Sequence, residues 1–218
     1  MCARYEFIGT PEQLIEAFQV LREVEIVPRH DIRPTTQVVA IRQAPNGNRQ
    51  ADLLRWGLIP SWSKDTKAAA TMINARGETV ATKPSFRSAF KRRRCVLPAT
   101  SFYEWEKLTA KDKQRWRIHR VDETPLAFAG LWEHWEKDGQ VIDSCSIVTT
   151  EANGFMQRIH DRMPVILELD EIGAWLDSDN EAPGELIRPC PEDCLTMETV
   201  PRFIGDRTGD GSEVAQPD

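Results

Sequence analysis

The chain opens on a helical signal and then changes period. Thr10, Pro11 and Gln13 stand in the order of a helix start: Thr as N-cap, Pro in the first turn, and Gln reaching back to complete a capping box. Leu14, Phe18 and Leu21 recur at helical spacing, which predicts an amphipathic helix over residues 11–24. Beyond it, residues 38–42 and 51–56 read as strands flanking Pro45-Asn46-Gly47-Asn48, a turn sequence that predicts a hairpin. Further strands are predicted over 95–98, 102–107, 115–119, 126–132 and 142–149, and short helices over 84–91, 151–159, 171–176 and 183–187. Gly57-Leu58-Ile59-Pro60-Ser61-Trp62 reads as a loop carrying an aromatic ring. Strands fill the middle and helices flank them, with no internal repeat. The expected fold is therefore α+β: one domain, a curved and mainly antiparallel β-sheet or open barrel with peripheral helices. Residues 209–218 have a tail's composition, which leaves 1–208 as the domain.

Composition narrows the class. A chain of 218 residues suits one domain with a sizeable core. No apolar run approaches the roughly 20 residues of a membrane span, and Met-Cys-Ala-Arg-Tyr-Glu-Phe lacks the basic and apolar regions of a signal peptide. A cytoplasmic protein is expected. The net charge of -6 argues against coating DNA by bulk electrostatics but leaves room for a local basic groove. Five cysteines, an odd number, fit a reducing compartment. Cys190 and Cys194 in Cys-Pro-Glu-Asp-Cys have no second ligand pair, so neither a zinc site nor any other metal or cofactor is expected.

Several residues have the chemistry for a site. Removal of Met1 would leave Cys2 with a free α-amine of pKa about 8 beside a thiol of about 8.5. Such a 1,2-aminothiol reacts distinctively with aldehydes: the amine forms an imine, and the thiol closes on it as a thiazolidine. The competing reading is an incidental cysteine at a loose terminus. In Ile73-Asn74-Ala75-Arg76-Gly77-Glu78, an extended segment would put Asn74 and Arg76 on one side, or Arg76 would simply pair with Glu78. In Ser101-Phe102-Tyr103-Glu104-Trp105-Glu106, strand alternation puts Phe102, Glu104 and Glu106 on one face. A carboxylate among aromatics is partly desolvated, which suits acid/base work; the plain alternative is a solvated Glu104. His160, at the end of a predicted helix and between Arg158 and Arg162, is a proton-transfer candidate or a turn residue tied to Asp161. His30, His119 and His134 read as surface residues. Lys91-Arg92-Arg93-Arg94 is a solvated face or a phosphate track, and with Trp62, Trp56 and Trp105 it would suit single-stranded nucleic acid.

The order of these motifs carries more than any one of them. Met1-Cys2-x-Arg4, Trp56-Gly57-Leu58-Ile59-Pro60-Ser61-Trp62, Ile73-Asn74-Ala75-Arg76-x-Glu78-Thr79, Phe102-Tyr103-Glu104-Trp105, Ile147-Val148-Thr149-Thr150 and Ile159-His160-Asp161-Arg162-Met163-Pro164 together resemble the SRAP family, the SOS-response-associated peptidase-like, abasic-site-processing proteins. The resemblance runs from residue 1 to about 201. It implies recognition of abasic sites in single-stranded DNA, near junctions with duplex, and a protective thiazolidine between Cys2 and the ring-opened sugar. Carried over, Cys2 is the nucleophile, Glu104 and His160 handle protons, and Asn74 positions Cys2 or the sugar. Arg76 and Arg162 would hold phosphates, with Arg4, Trp62 and Thr149 in support. It further implies a monomer, cytoplasmic and on the nucleoid when bound to damaged DNA, with a self-directed peptidase activity ranked below the DNA reaction.

The chain also departs from the family pattern. Ala3 replaces a glycine, and Arg29-His30-Asp31-Ile32-Arg33-Pro34 replaces Arg-Tyr-Asn-x-Ala-Pro. Asp206, near the C-terminus, stands among lost asparagines. Added carboxylates would repel phosphate. An amide hydrolase with Cys2 as an N-terminal nucleophile and a non-catalytic single-strand-binding module are the alternative readings.

Overall fold

The computed structural model describes residues 2–21, 27–109 and 112–200, and most of its regular structure is strand. One sheet is antiparallel and runs in the order β13 (Leu195–Val200), β8 (Lys113–Arg120), β7 (Ser101–Lys107), β1 (Tyr5–Phe7) and β2 (Arg29–Ile32). The other is built on β3 (Gln37–Gln43), β4 (Arg49–Trp56), β6 (Arg94–Ala99), β9 (Leu126–Lys137) and β10 (Gln140–Glu151). These follow the order β10-β4-β3-β6-β9, and β9 pairs again with β10, closing a five-stranded barrel. Short strands extend its rim: β5 (Asn74–Arg76) and β11 (Arg162–Pro164) on β10, and β12 (Ile166–Leu167) on β9. Among the described strands only the ladders of β10 with β4 and β5 are parallel. The α+β expectation holds, with a closed barrel in place of an open one.

Closure requires a glycine. Gly130 on β9 faces Cys95 on β6 and Ile147 on β10. A Cβ there would lie 2.3 Å from Leu97 Cδ1 and 3.2 Å from the Ser146 carbonyl oxygen, so only a bare backbone lets the strands converge. Aromatic rings then join the two sheets. Tyr5 and Phe102 come from the first, and Trp56 and Phe128 from the barrel. Tyr5 meets Trp56 edge-on at 5.3 Å and Phe128 at 5.8 Å, and Phe102 meets Phe128 at 5.9 Å. Trp56 is fully buried and is a core residue, not a stacking platform for bases.

The predicted hairpin forms as β3 and β4, in register from Gln37 opposite Arg55 to Gln43 opposite Arg49. The first helix, α1 (Pro11–Phe18), starts with the expected capping box but stops early. Gln19 turns left-handed, with φ of 55°, and Val20 bridges to Arg49, leaving Leu21 exposed. The rest of the predicted span, 22–24, lies outside the described residues. Two short helices, α2 (Gly77–Val80) and α3 (Arg87–Arg92), follow β5. The helix expected over 151–159 shrinks to α4 (Gly154–Gln157), because pairing with β11 keeps β10 extended through Glu151. The last helix, α5 (Ile172–Leu176), matches expectation, while 183–187 forms a 3-10 turn over Pro183–Leu186. Strands β1, β2 and β13 had no sequence forecast. The C-terminal tail lies outside the described residues, and no described helix is long and apolar enough to cross a membrane.

The basic run is half structural. Arg94 is buried, and its guanidinium donates to Phe90 O at 2.6 Å and Lys91 O at 3.0 Å, at the end of α3. It also donates to Trp175 O at 2.5 Å and to Asp177 O, at the end of α5. One cation thus satisfies the orphan carbonyls of two helix ends. Arg93 pairs with Glu133 at 2.8 Å, which leaves Lys91 and Arg92 facing solvent. Arg94→Ala should therefore cost about 3 kcal/mol, the scale of lost hydrogen bonds to a buried charge, whereas Arg92→Ala should stay within about 0.5 kcal/mol. Urea denaturation of both variants measures the difference.

Candidate functional site

The site forms where the start of the chain crosses the rim of the barrel. The Trp56 indole N–H donates to Ile73 O at 2.9 Å, and the Ile147 N–H donates to the same carbonyl at 3.0 Å. Those bonds seat β5 on β10, with Asn74 beside Ile147 and Arg76 beside Thr149. The next turn packs closely, since a Cβ at Gly77 would lie 2.2 Å from Ile187 Cγ2. On the other side, Tyr103 N–H donates to Arg4 O at 2.9 Å, tying the residues before β1 to β7.

Cys2 lies between these anchors and is fully buried. Asn74 donates through Nδ2 to the Cys2 carbonyl at 2.8 Å. Asn74 Oδ1 is buried with no hydrogen-bond partner among the described residues. Burial first, and the nearby Glu104 carboxylate second, push the Cys2 thiol far above its ordinary range. Glu104 is 4% exposed, on the same face of β7 as Phe102, so it is not a solvated carboxylate. Cys2, Asn74 and Glu104 are thus brought together from three distant stretches of sequence.

His160 follows α4 and precedes β11, half-buried. Its Nδ1 accepts from the Arg162 backbone N–H at 2.9 Å, and Asp161 Oδ1 stands equally near at 2.9 Å. The Arg162 guanidinium is buried and grips Glu78 at 2.5 and 3.0 Å, with Thr149 O at 2.8 Å and Thr149 Oγ1 at 3.3 Å. Glu78 therefore pairs with Arg162, and hydrogen bonds from that guanidinium hold its carboxyl below the usual range. Arg76 is exposed and makes no salt bridge among the described residues. Trp62 is 65% exposed on its loop. His134 is exposed as expected; His119 is half-buried, and His30 lies 3.6 Å from the buried Glu6. Among the described residues no three His, Cys, Asp or Glu side chains gather as metal ligands.

Sequence reasoning missed two carboxylate partners. Arg4 donates to Asp31 through Nε at 2.5 Å and Nη2 at 2.7 Å, and Arg33 reaches the same carboxylate at 2.6 Å. Asp31, read from the sequence as a repulsive charge, is thus flanked by two cations. The strand β2 that presents it carries no sequence signal strong enough to forecast the pairing. Glu78 was visible in its motif, but the contact with Arg162 spans 84 residues.

The geometry defines a class: a single-chain α+β barrel protein with a buried cysteine at position 2, an amide and a carboxylate gathered on it, and an open arginine and tryptophan outside. The chain belongs to the SOS response associated peptidase (SRAP) family, whose description matches residues 1–207. It is 38% identical to the abasic site processing protein YoaM of Bacillus subtilis, over 98% of this chain and 97% of that one. It is 28% identical to the abasic site processing protein YedK of Escherichia coli, over the whole of both. A solved structure from Bordetella bronchiseptica superposes with a TM-score of 0.81 at 27% identity, covering 92% of this chain and all of the other.

The Arg4–Asp31–Arg33 group gives a pH signature. Burial of Asp31 acts to raise its pKa, but hydrogen bonds and charge from Arg4 and Arg33 outweigh it and hold the carboxyl below its ordinary value. A depressed folded-state pKa stabilises above the unfolded value, about 4, and that stabilisation is lost as pH falls through the lower folded value. Asp31→Asn should lower the melting temperature at pH 7, with the gap to wild type closing below about pH 4; calorimetry across pH 3 to 7 measures it.

Proposed function

We propose that this protein captures abasic sites in single-stranded DNA, forming a covalent thiazolidine on Cys2 once Met1 has been removed. The observation that carries the reading is the group formed by Cys2, Asn74 and Glu104. The relatives' names, abasic site processing proteins, support the same substrate.

Hydrolytic removal of Met1 frees the Cys2 α-amine. The amine adds to the C1′ aldehyde of the ring-opened sugar, and loss of water gives an imine. The thiol then adds to the imine carbon, forming the S–C bond while the nitrogen gains a proton. A thiol pushed up by burial and by Glu104 enters that step protonated and needs a base. Glu104 takes the proton and returns it to nitrogen. Asn74 Oδ1, buried and unsatisfied, is a ready acceptor for the α-amine or a sugar hydroxyl. His160 handles the proton exchanges of sugar opening and imine formation. Arg76, free of a salt bridge among the described residues, takes a flanking phosphate, and Trp62 offers a stacking face. Arg4 and Arg162 already hold Asp31 and Glu78, so a phosphate would have to share or displace those carboxylates. Thr149 supports Arg162. The protein works as a monomer near junctions with duplex, in the cytoplasm and on the nucleoid when bound.

Protein lacking Met1, mixed with single-stranded DNA bearing one abasic site, should give a heat-stable slow band on a denaturing gel. Cys2→Ala should remove it, and Asn74→Ala should slow its appearance about tenfold, the worth of about one hydrogen bond. Glu104→Gln should allow the imine but delay closure, raising the share of adduct trapped by borohydride. No band from the processed wild type would sink the reading. Multiple turnover of an amide substrate without DNA would favour the N-terminal-nucleophile hydrolase instead.

A further inference from the structure

Two arginines converge on one carboxylate beside the start of the chain, and the group is not neutral. Arg4 holds Asp31 bidentately, Nε to Oδ1 at 2.5 Å and Nη2 to Oδ2 at 2.7 Å. Arg33 brings Nε at 2.7 Å and Nη2 at 2.6 Å to Oδ2 alone. Two guanidiniums against one carboxylate leave one positive charge in excess. The group is within reach of solvent: the side chains of Arg4, Asp31 and Arg33 are 12%, 15% and 32% exposed. A phosphate presents the same pair of oxygens to a guanidinium fork as a carboxylate does, so a site built for one accepts the other.

The backbone behind the two arginines is fixed in the frame that fixes the site. Arg4 stands two residues from Cys2, with its carbonyl held by the Tyr103 N–H at 2.9 Å. Arg33 opens a turn in which Thr36 Oγ1 donates to Arg33 O at 2.8 Å and Thr35 is left-handed, with φ of 71°. Trp56 holds that turn twice: its carbonyl accepts from the Thr35 N–H at 2.7 Å, and its N–H donates to Thr36 O at 2.9 Å. The indole of the same Trp56 bonds Ile73 O, next to Asn74, which bonds the Cys2 carbonyl. One core residue thus positions both the Arg33 turn and the amide on Cys2. Asp31 itself lies on β2, the last strand of its sheet, so its side chain can turn outward without breaking a strand ladder.

We propose, resting on the DNA reading above, that Arg4 and Arg33 form a phosphate subsite which Asp31 occupies in the DNA-free protein and which a backbone phosphate flanking the lesion takes over on binding. Arg33 thereby joins the DNA-binding residues, and Asp31 becomes the residue that sets their affinity. In the free protein the carboxylate keeps two like charges side by side. In the complex a phosphate does so instead, through the same donors, and Asp31 turns to water. Stability and DNA affinity are therefore opposed at this one residue: the carboxylate that ties β2 to Arg4 is the one the phosphate must displace.

Fluorescence anisotropy tests this, with protein lacking Met1 and labelled single-stranded DNA carrying one tetrahydrofuran site, an abasic analogue with no aldehyde. Binding is then read without the covalent step. Asp31→Asn should bind about tenfold tighter than the wild type, the worth of a charge-assisted hydrogen bond no longer displaced, although it melts lower. Arg33→Ala should bind more weakly and flatten the plot of log affinity against log salt by about 0.7, the share of one phosphate on a single strand. Glu198→Gln removes the same charge from a different arginine pair, with Arg117 at 2.9 Å, and should stay within about twofold because that charge is screened. The subsite is overturned if Asp31→Asn binds no tighter or gains no more than Glu198→Gln, or if Arg33→Ala keeps the wild-type salt slope. Should Asp31→Asn fail to fold, the Arg33→Ala slope alone decides. A wild type that neither binds this DNA nor cross-links to an abasic site would instead overturn the DNA reading, and the subsite with it.

Discussion

Strand β10 bonds to four other strands, and both the core and the site depend on that sharing. Its first part lies on β9 and closes the barrel; Ser144 and Cys145 meet β4; Ile147 to Thr149 carry β5; Thr149 to Glu151 carry β11. A strand in the middle of a sheet has two edges to offer, so four partners require it to be divided along its length. The twelve-residue span of β10 permits this. Gly130 opposite Ile147 permits the close approach, because any side chain there would strike Leu97.

The site inherits its geometry from that division. Asn74 and Arg76 stand on β5 and Arg162 on β11, so one strand sets the spacing of all three. Trp56, in the core, holds the carbonyl of Ile73 and fixes where Asn74 points. The start of the chain arrives independently, along β1 and β7, and meets this frame through the Asn74 amide and the Cys2 carbonyl. Cys2 is thus a junction residue between two sheets, which explains how a residue so near the terminus is fully buried.

Charge follows a similar economy. Of the arginines nearest the site, Arg4 and Arg162 are each held by a carboxylate, Asp31 and Glu78 respectively. Arg94, in the most basic stretch of the chain, is spent on helix-end carbonyls. Arg76, by contrast, faces solvent without a salt bridge among the described residues.

Much of the fold was legible in the sequence because alternation and turn chemistry are local. The β3–β4 hairpin is marked by its turn sequence, the strands β6 to β10 by short runs rich in apolar, aromatic and β-branched residues, and the start of α1 by its capping box. Its end was not legible, since the chain leaves the helix to bridge Val20 with Arg49, a partner 29 residues away. Strands β1, β2 and β13 were missed because short or polar segments become strands only when a neighbour supplies the hydrogen bonds. The sequence by itself picked out candidates by residue type and order: Cys2, Asn74, Glu104 and His160. The tertiary structure alone decided that Glu104 is buried beside Cys2, that Glu78 grips Arg162, and that Asp31 is neutralised. Burial and ion pairing are properties of distance, and these distances are set by strand pairings between residues far apart in the chain.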